Sequence, residues 1–298
     1  MEKSNKIDIK KLLLDNGIIV LLAILVIYVS ITVPTFRSFR NIMNLAINSA
    51  PRVIIALGVS GCLITKGTDL SAGRMVGLSA CLCGIMLQKP DAPGKIWPNF
   101  PQLNVWLVLL IVMAICAVLG LINGIVISYL NVPAFIGTLG MQLIVYGLAL
   151  VITNAVPIGG FRQDFINATQ GKIGGISYQF IYLIIAAAAF WFVYNYTRHG
   201  KYMYAIGGFL VVGKSGGGGV NMGQGWELEA IAACTIGGVS VNGGIGKVSG
   251  VIIGVAVFEL LKSALQFLGV NTNYQFIAQG VVIVVAIALD IRKYIAKK

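Results

Sequence analysis

The stretch Leu103–Tyr129, LNVWLVLLIVMAICAVLGLINGIVISY, has no charged residue and is long enough to cross a bilayer as one helix. The hydrocarbon core is about 30 Å thick, and a helix needs about 20 apolar residues to span it. Pro133–Thr153 has the same character, and no charged residue occurs between Lys95 and Arg162. The intervening Asn131–Pro133 is expected to be a turn, because proline stops one helix and suits the first turn of the next. These two stretches predict a helical membrane hairpin.

The composition of the whole chain agrees with this prediction. Of its 298 residues, 57% are hydrophobic and 11% are charged, whereas soluble domains carry roughly 25% charged residues. The 37 glycines and 8 prolines favour closely packed helices over a disordered or collagen-like chain. The net charge is +12, but the cations lie between apolar segments and at the two ends, as in membrane proteins. The sequence predicts an all-α, polytopic transmembrane helical bundle and argues against nucleic-acid binding.

Seven further apolar segments predict helices in the membrane. They are Gly17–Phe36, Asn41–Thr65, Leu70–Leu87, Tyr178–Tyr196, Ala230–Gly246, Val248–Leu268 and Tyr274–Ile291. Ala230–Gly246 is short and glycine-rich, so it is expected either to re-enter the membrane or to belong to a region from which a span is missing. The total is therefore about eight or nine membrane segments. Within the eighth, Glu259 and Lys262 lie one turn apart and are expected to pair.

Basic residues predict the orientation of the bundle. Lysines precede the first span, at positions 3, 6, 10 and 11, and a basic run from Arg292 follows the last, so both ends are expected in the cytoplasm. Arg198 and Lys201, after six spans, fit this orientation. The expected organisation is one membrane-embedded domain over 1–298. It has a cytoplasmic N-terminus (1–15), a six-span part (16–208), an atypical glycine-rich segment (209–229), and C-terminal spans with a basic tail (230–298).

Polar residues in apolar surroundings are the candidate functional residues. The densest group contains Asp69, Ser71 and Arg74. Ionisable groups at mid-membrane cost about 2.5–3.5 kcal/mol and normally face protein or a water-filled cavity. Asp69 and Arg74 therefore either line a solute path or pair as a lock between helices, unless the group is a solvated loop. Glu229 marks a second polar break. Further candidates, for the path or for inter-helix hydrogen bonds, are Asn48, Asn123, Thr138, Gln142 and Tyr146.

Glycines spaced four apart predict close approach of helix backbones. They are Gly73 and Gly77, Gly120 and Gly124, and the series Gly246, Gly250 and Gly254. We expect the first and third sets also to contact a second copy of the chain.

No catalytic, metal or cofactor site is expected, and the chain is not predicted to be an enzyme. Gly208–Ser215 fits the phosphate-binding pattern GxxxxGK[ST]. That loop requires a preceding strand and a following helix, but an apolar span and a basic turn precede it here. Gly216–Gly219 follow, and four glycines are a poor helix start. The single histidine, His199, reads as a loop residue.

Several blocks resemble one family of membrane proteins. They are NIMN at Asn41–Asn44, VIIALGVSG at Val53–Gly61, TKGTDLSAGRMVGLSA at Thr65–Ala80, GLINGIVISYLNVPAFIGTLG at Gly120–Gly140, TRHGKYMYAIGG at Thr197–Gly208 and WELEAIAACTIGGVSVNGGIGKVSG at Trp226–Gly250. The chain resembles the permease subunits of bacterial sugar ABC importers of the ribose/galactose class, in particular the galactose/methyl-galactoside branch. The resemblance covers nearly the whole chain.

This resemblance implies a multi-pass subunit of the bacterial inner membrane that forms the translocation path of an ATP-driven sugar importer. It implies three protein partners: a separate ATP-binding subunit, a periplasmic sugar-binding protein and a second permease copy. The expected cargo is galactose, methyl galactoside or a related monosaccharide.

After Gly208 the chain departs from that family. Such permeases continue with a segment that docks the ATPase and a further span, whereas here only Phe209–Gly225 precedes the next shared block. Glycine-rich chain behaves as a flexible coil, so we expect this segment to be flexible and the coupling to ATP hydrolysis to be weak or absent. Two alternatives stay open: a transport-deficient deletion variant, and an ion-coupled secondary transporter or channel centred on Asp69 and Arg74.

Overall fold

The computed structural model describes residues 17–196 and 203–295, which form eleven α-helices and one short hairpin. The helices are α1 (Gly17–Thr32), α2 (Phe39–Ile64), α3 (Ala72–Met86), α4 (Val105–Ser128), α5 (Ala134–Thr153), α6 (Gln163–Gln170), α7 (Tyr178–Tyr196), α8 (Met203–Ser215), α9 (Trp226–Ile236), α10 (Val248–Phe267) and α11 (Thr272–Ile295). A 3-10 helix, Pro34–Arg37, links α1 to α2. The strands β1 (Lys172–Ile173) and β2 (Ile176–Ser177) pair antiparallel.

Eight of the nine apolar segments expected from the sequence coincide with a helix, whereas Ala230–Gly246 is helical only as far as Ile236. Pro133 precedes α5 as its N-cap, and Asn131 has a φ of 53°, so the predicted turn between α4 and α5 is confirmed. Within the described residues, five helices are long and apolar enough to cross a membrane: α2, α4, α5, α10 and α11. Helices α1, α3 and α7 contain shorter apolar stretches. The structure supports a helical membrane bundle.

Helices α2 and α3 form the centre of the bundle. Every residue of α3 except Arg74 is buried, as expected of a helix that is apolar on all sides. It packs mainly against α8 and α5, while α2 packs against α7, α8, α9 and α10. The outer helices α1, α4, α5 and α11 instead expose large apolar side chains, such as Ile31, Leu110, Leu143 and Val284. Exposed apolar surface of this extent is typical of contact with lipid or with another protein.

The segment that was expected to be a flexible coil is ordered, so that prediction was wrong. Phe209–Ser215 is the second half of α8, and Phe209 and Leu210 are fully buried. Beyond it, Gly218 and Ile158 exchange backbone hydrogen bonds, with N···O distances of 2.8 and 2.9 Å. The glycine run is therefore held by its own backbone groups, and the positive φ of Gly216 (68°) is a conformation that glycine adopts without strain.

A second departure is the polar region after α5. The sequence predicted only helices in apolar segments, whereas the structure adds the polar helix α6 and the β1–β2 hairpin. Lys172 pairs with Ser177, and Ile173 pairs with Ile176. A two-residue strand falls below the length at which alternation of apolar and polar residues is visible in a sequence.

Two of the three glycine sets lie close to other segments of the same chain. A side chain at Gly250 would overlap the backbone of Gly237, and one at Gly254 would overlap the carbonyl oxygen of Ala233, so α10 and α9 touch through their backbones. A Cβ at Gly246 would lie 2.6 Å from the side chain of Ile64.

On α3, a Cβ at Gly73 would overlap the Glu227 carboxylate, and one at Gly77 would lie 2.6 Å from the carbonyl oxygen of Met222. These faces are covered within the chain, and their contact with a second copy stays a prediction. Gly120 and Gly124 are half-buried on α4, and their packing role stays a prediction.

The predicted orientation rests largely on residues that lie outside the described parts of the chain. These are the lysines before α1, the group Arg198, His199 and Lys201, and the last residues of the chain, Lys297 and Lys298. The cytoplasmic N-terminus therefore stays a prediction.

Candidate functional site: a charged cluster below a polar cavity

Four charged side chains meet inside the bundle, and we call them the charged cluster: Arg52 of α2, Glu229 of α9, and Glu259 and Lys262 of α10. Arg52 Nε lies 3.0 Å from Glu259 Oε1, and Lys262 Nζ lies 2.5 Å from Glu229 Oε2. Arg52 also pairs with Glu229 through Nη1. The predicted pair of Glu259 and Lys262 is confirmed at 3.6 Å. Their side chains are only 9–24% exposed.

The charges of this cluster balance. Two cations and two carboxylates are brought together, and the guanidinium carbon of Arg52 also lies 4.6 Å from the centroid of the Trp226 ring, within cation–π range. Glu229 occupies the first turn of α9, where the helix dipole favours a negative charge. Because buried ions are costly unless paired, each member of the cluster depends on its partners.

A polar cavity of about 930 Å³ opens on one side of the charged cluster. Its wall is rich in carboxamides, hydroxyls and charges from α2, α8, α10 and α11. The lining includes Asn41, Asn44, Asn48, Arg52, Lys214, Ser215, Trp226, Glu259, Lys262, Ser263, Gln266, Asn271 and Gln275. Asn41, Asn44 and Asn48 follow one face of α2, because they are three and four residues apart.

On the other side of the cluster lies a void of about 20 Å³ with mainly apolar walls. It shares Arg52 and Glu259 with the polar cavity and continues one turn further along α2 and α10, to Ile55 and Val255. A volume of this size holds a single water molecule. The charged cluster therefore separates a spacious polar cavity from the tightly packed apolar interior.

Two of the predicted site residues belong to this site. Glu229 is a member of the charged cluster, and Asn48 lines the polar cavity, where its Oδ1 accepts a hydrogen bond from Lys214 Nζ. The fold thus brings Asn48 and Glu229, which are far apart in the sequence, to one site.

Asp69 and Arg74 do not form the predicted inter-helix lock. Asp69 Oδ1 accepts hydrogen bonds from the backbone N–H of Ser71, at 3.0 Å, and from its hydroxyl, at 2.6 Å. Arg74 donates to the carbonyl oxygen of Val220 at 3.3 Å, and its guanidinium lies 4.2 Å from the centroid of the Tyr146 ring. The local turn satisfies the carboxylate while α3 carries Arg74 toward other partners. A path-lining role for Asp69, Ser71, Arg74 or Tyr146 stays a prediction.

The remaining candidates lie on α4 and α5, away from the lining of the polar cavity. The hydroxyl of Thr138 donates to the carbonyl oxygen of Phe135 in its own helix, at 3.3 Å, rather than to another helix. Asn123 is buried, and its Oδ1 has no hydrogen-bond partner among the described residues. Gln142 is half-buried.

Arg52, Lys214 and Trp226 belong to the site but were not predicted from the sequence to have a role in it. A signal for Arg52 was present, since a charged residue inside an apolar span normally faces protein or water. Gly208–Ser215 lies entirely within α8, so it is not a phosphate-binding loop. Among the described residues there is no group of three or more His, Cys, Asp or Glu that could hold a metal ion.

Comparisons with known proteins place this chain in a family. The chain is 40% identical to the galactose/methyl galactoside import permease protein MglC of Escherichia coli K12, and all of both chains is aligned. It is 41% identical to the protein of that name in Haemophilus influenzae, over all of this chain and 99% of the relative. It is 28% identical to the ribose import permease protein RbsC of Escherichia coli K12, over 95% of this chain and 96% of the relative. No solved structure matches the chain.

The full-length alignment also shows a difference in length. It runs over 336 positions, whereas this chain has 298 residues, so about 38 positions have no counterpart here. The family described as branched-chain amino acid transport system / permease component matches residues 41–209, more than half of the chain. On this match and on the two full-length relatives at 40% and 41% identity, the chain belongs to that permease family.

Proposed function

We propose that this chain is the transmembrane subunit of an ATP-driven importer of galactose, methyl galactoside or a related monosaccharide, and that it forms the translocation path. One observation carries the proposal: a charged cluster closes a polar cavity in the helical bundle of a chain that aligns, over its full length, with import permeases for these sugars.

In this proposal the partners are a separate ATP-binding subunit, a periplasmic sugar-binding protein and a second copy of the permease. The chain is placed in the bacterial inner membrane as one domain over 1–298, with its N-terminus in the cytoplasm. Helices α1 to α5, α7, α10 and α11 cross the bilayer and α9 re-enters it, which gives eight or nine segments. Support comes from the apolar character of these helices and from the permease family.

The charged cluster acts as the closed end of the path. A solute that enters the polar cavity meets the ion pairs between α2, α9 and α10, and passage requires these helices to separate. Since Glu229 Oε2 pairs with both Arg52 and Lys262, a movement of α9 breaks two contacts together. The ion pairs between Glu259 and the two cations would remain after that movement.

A second candidate function is favoured by the 38 alignment positions without a counterpart. If they correspond to the coupling segment and span that the family has after Gly208, the chain inserts and binds its partners without being driven by ATP. The compact packing of α8 on α3 shows that the segment need not be flexible, so only the lost length supports this candidate.

A panel of radiolabelled sugars in bacteria that lack their own galactose permease, but retain the matching ATPase and binding protein, tests the proposal. We expect uptake of galactose and methyl galactoside that survives collapse of the proton and sodium gradients. Uptake that stops when the gradients collapse would identify a secondary transporter or channel. Absence of uptake, with normal amounts of the chain in the membrane, would favour the second candidate.

A further inference from the structure

We infer that the polar cavity is a low-affinity binding site for a neutral polyhydroxyl ligand of monosaccharide size, held by the carboxamides of Asn44, Asn48 and Gln266. This inference rests on the proposed function and adds to it that the permease chain itself, without its partners, recognises the sugar.

The chemistry of the cavity wall suits a ligand with several hydroxyl groups. Six carboxamide side chains line the cavity: Asn41, Asn44, Asn48, Gln266, Asn271 and Gln275. Three of them have hydrogen bonds to the backbone: Asn41 donates to Phe36, Gln275 donates to Val270, and Asn271 accepts from the N–H of Asn273. The proposal rests on the other three, of which Asn48 accepts a hydrogen bond from the side chain of Lys214.

A carboxamide presents a donor and an acceptor side by side, and so does each hydroxyl of a sugar. Carboxamides are therefore suited to a ligand with several neighbouring hydroxyls. An acyl chain of a lipid would leave these polar groups unsatisfied.

The charges around the cavity favour a neutral ligand. Arg52, Lys262, Glu229 and Glu259 neutralise one another in the charged cluster, so no carboxylate is left over for a cation. Lys214 is the remaining cation of the wall, and it donates to Asn48. A ligand hydroxyl can replace Asn48 Oδ1 as the acceptor for Lys214 Nζ. A second ligand hydroxyl can then donate a hydrogen bond to Asn48 Oδ1. A neutral ligand therefore exchanges hydrogen bonds without changing the net charge of the site.

The volume of the cavity is sufficient for a monosaccharide. The cavity measures about 930 Å³, near the upper end of the range of about 300–1,000 Å³ that is typical of small-molecule sites. A single monosaccharide fits with several water molecules. Such a loose fit predicts weak binding, as a translocation path requires, because the ligand must also leave.

Equilibrium binding of radiolabelled galactose to the full-length chain in lipid nanodiscs, with neither ATPase nor binding protein present, tests the inference. We expect saturable binding with a Kd in about the millimolar range, displaced by methyl galactoside and not by sodium chloride or inorganic phosphate. Asn44→Leu, Asn48→Leu and Gln266→Leu should each weaken binding about fivefold, which corresponds to about 1 kcal/mol per hydrogen bond.

The matched control is Asn167→Leu, which removes an exposed carboxamide on α6 outside the cavity and should leave the Kd unchanged. A size-exclusion profile like that of the unchanged chain checks that each variant is folded. Because three different cavity variants are measured, a loss of affinity shared by all three does not depend on one variant that fails to fold. The inference is overturned by a lack of saturable binding, by cavity variants that bind like the control, or by displacement with phosphate or salt. ATP-driven uptake without binding by the isolated chain would overturn this inference alone, whereas binding without uptake would overturn the proposed function alone.

Discussion

Replacing Arg52 by methionine tests whether the charged cluster holds α2, α9 and α10 together. The change removes the ion pairs with Glu229 and Glu259 and the contact with Trp226. Lys262 still faces both carboxylates, at 2.5 and 3.6 Å, so the cluster retains one cation for two anions.

Breaking a fully buried pair costs about 3–5 kcal/mol. The side chain of Arg52 is 24% exposed, and Lys262 compensates part of the charge. We therefore expect Arg52→Met to lower the free energy of unfolding by about 2–3 kcal/mol. Reversible unfolding in mixed micelles, followed by tryptophan fluorescence, measures the loss.

The companion variant Glu259→Gln removes the excess negative charge. In the double variant Arg52→Met/Glu259→Gln the loss should be smaller than the sum of the two single losses by about 1–2 kcal/mol, within the range for residues in direct contact. As a control, Asp164→Asn weakens the more exposed pair with Arg162 and should cost less than about 1 kcal/mol. Strict additivity of Arg52→Met and Glu259→Gln, or an Arg52→Met loss no larger than that of the control, would refute the reasoning.

Three further predictions follow from the packing and from the polar break. Gly254→Val should destabilise the bundle by about 1–3 kcal/mol or more, because the new valine side chain would overlap the carbonyl oxygen of Ala233. The control Gly280→Val should not destabilise it, since there is open space around Gly280. Equal thermal stabilities of the two variants would contradict the backbone contact between α10 and α9. The amide hydrogen of Gly218 should exchange slowly with solvent, since the Gly218 N–H donates a hydrogen bond to the carbonyl oxygen of Ile158, with an N···O distance of 2.8 Å. Exchange at the rate of an unstructured peptide would show that the segment after Gly208 is flexible. Asp69→Leu should insert into membranes normally yet reduce sugar uptake, and undiminished uptake would show that this carboxylate has no part in the path.

The helices were largely predictable from the sequence because a membrane segment is recognised from its own run of apolar residues. An uncharged stretch such as Leu103–Tyr129 needs no tertiary information, and the structure places α4 within two residues of each end. The pair of Glu259 and Lys262 was equally accessible, since spacing along one helix decides whether they meet.

The charged cluster as a whole was not predictable in this way. Arg52 and Glu229 are 177 positions apart, and their contact depends on how α2 packs against α9. The glycine pattern shows the same limit: the spacing of Gly250 and Gly254 predicts that a backbone comes close, but the identity of that backbone is a property of the fold. The segment after Gly208 was predicted wrongly because four glycines in a row are typical of flexible chain, whereas the apolar run that begins at Phe209 is buried in α8.

The most direct test of the central claim is sugar uptake into proteoliposomes that contain this 298-residue chain, with the galactose-binding protein and ATP-binding subunit of a close relative supplied. We expect galactose accumulation that requires both ATP and the binding protein and that falls when Glu229, the residue shared by two ion pairs, is changed to glutamine. Accumulation driven by an ion gradient without ATP, or no accumulation from correctly inserted chain with both partners bound, would contradict it.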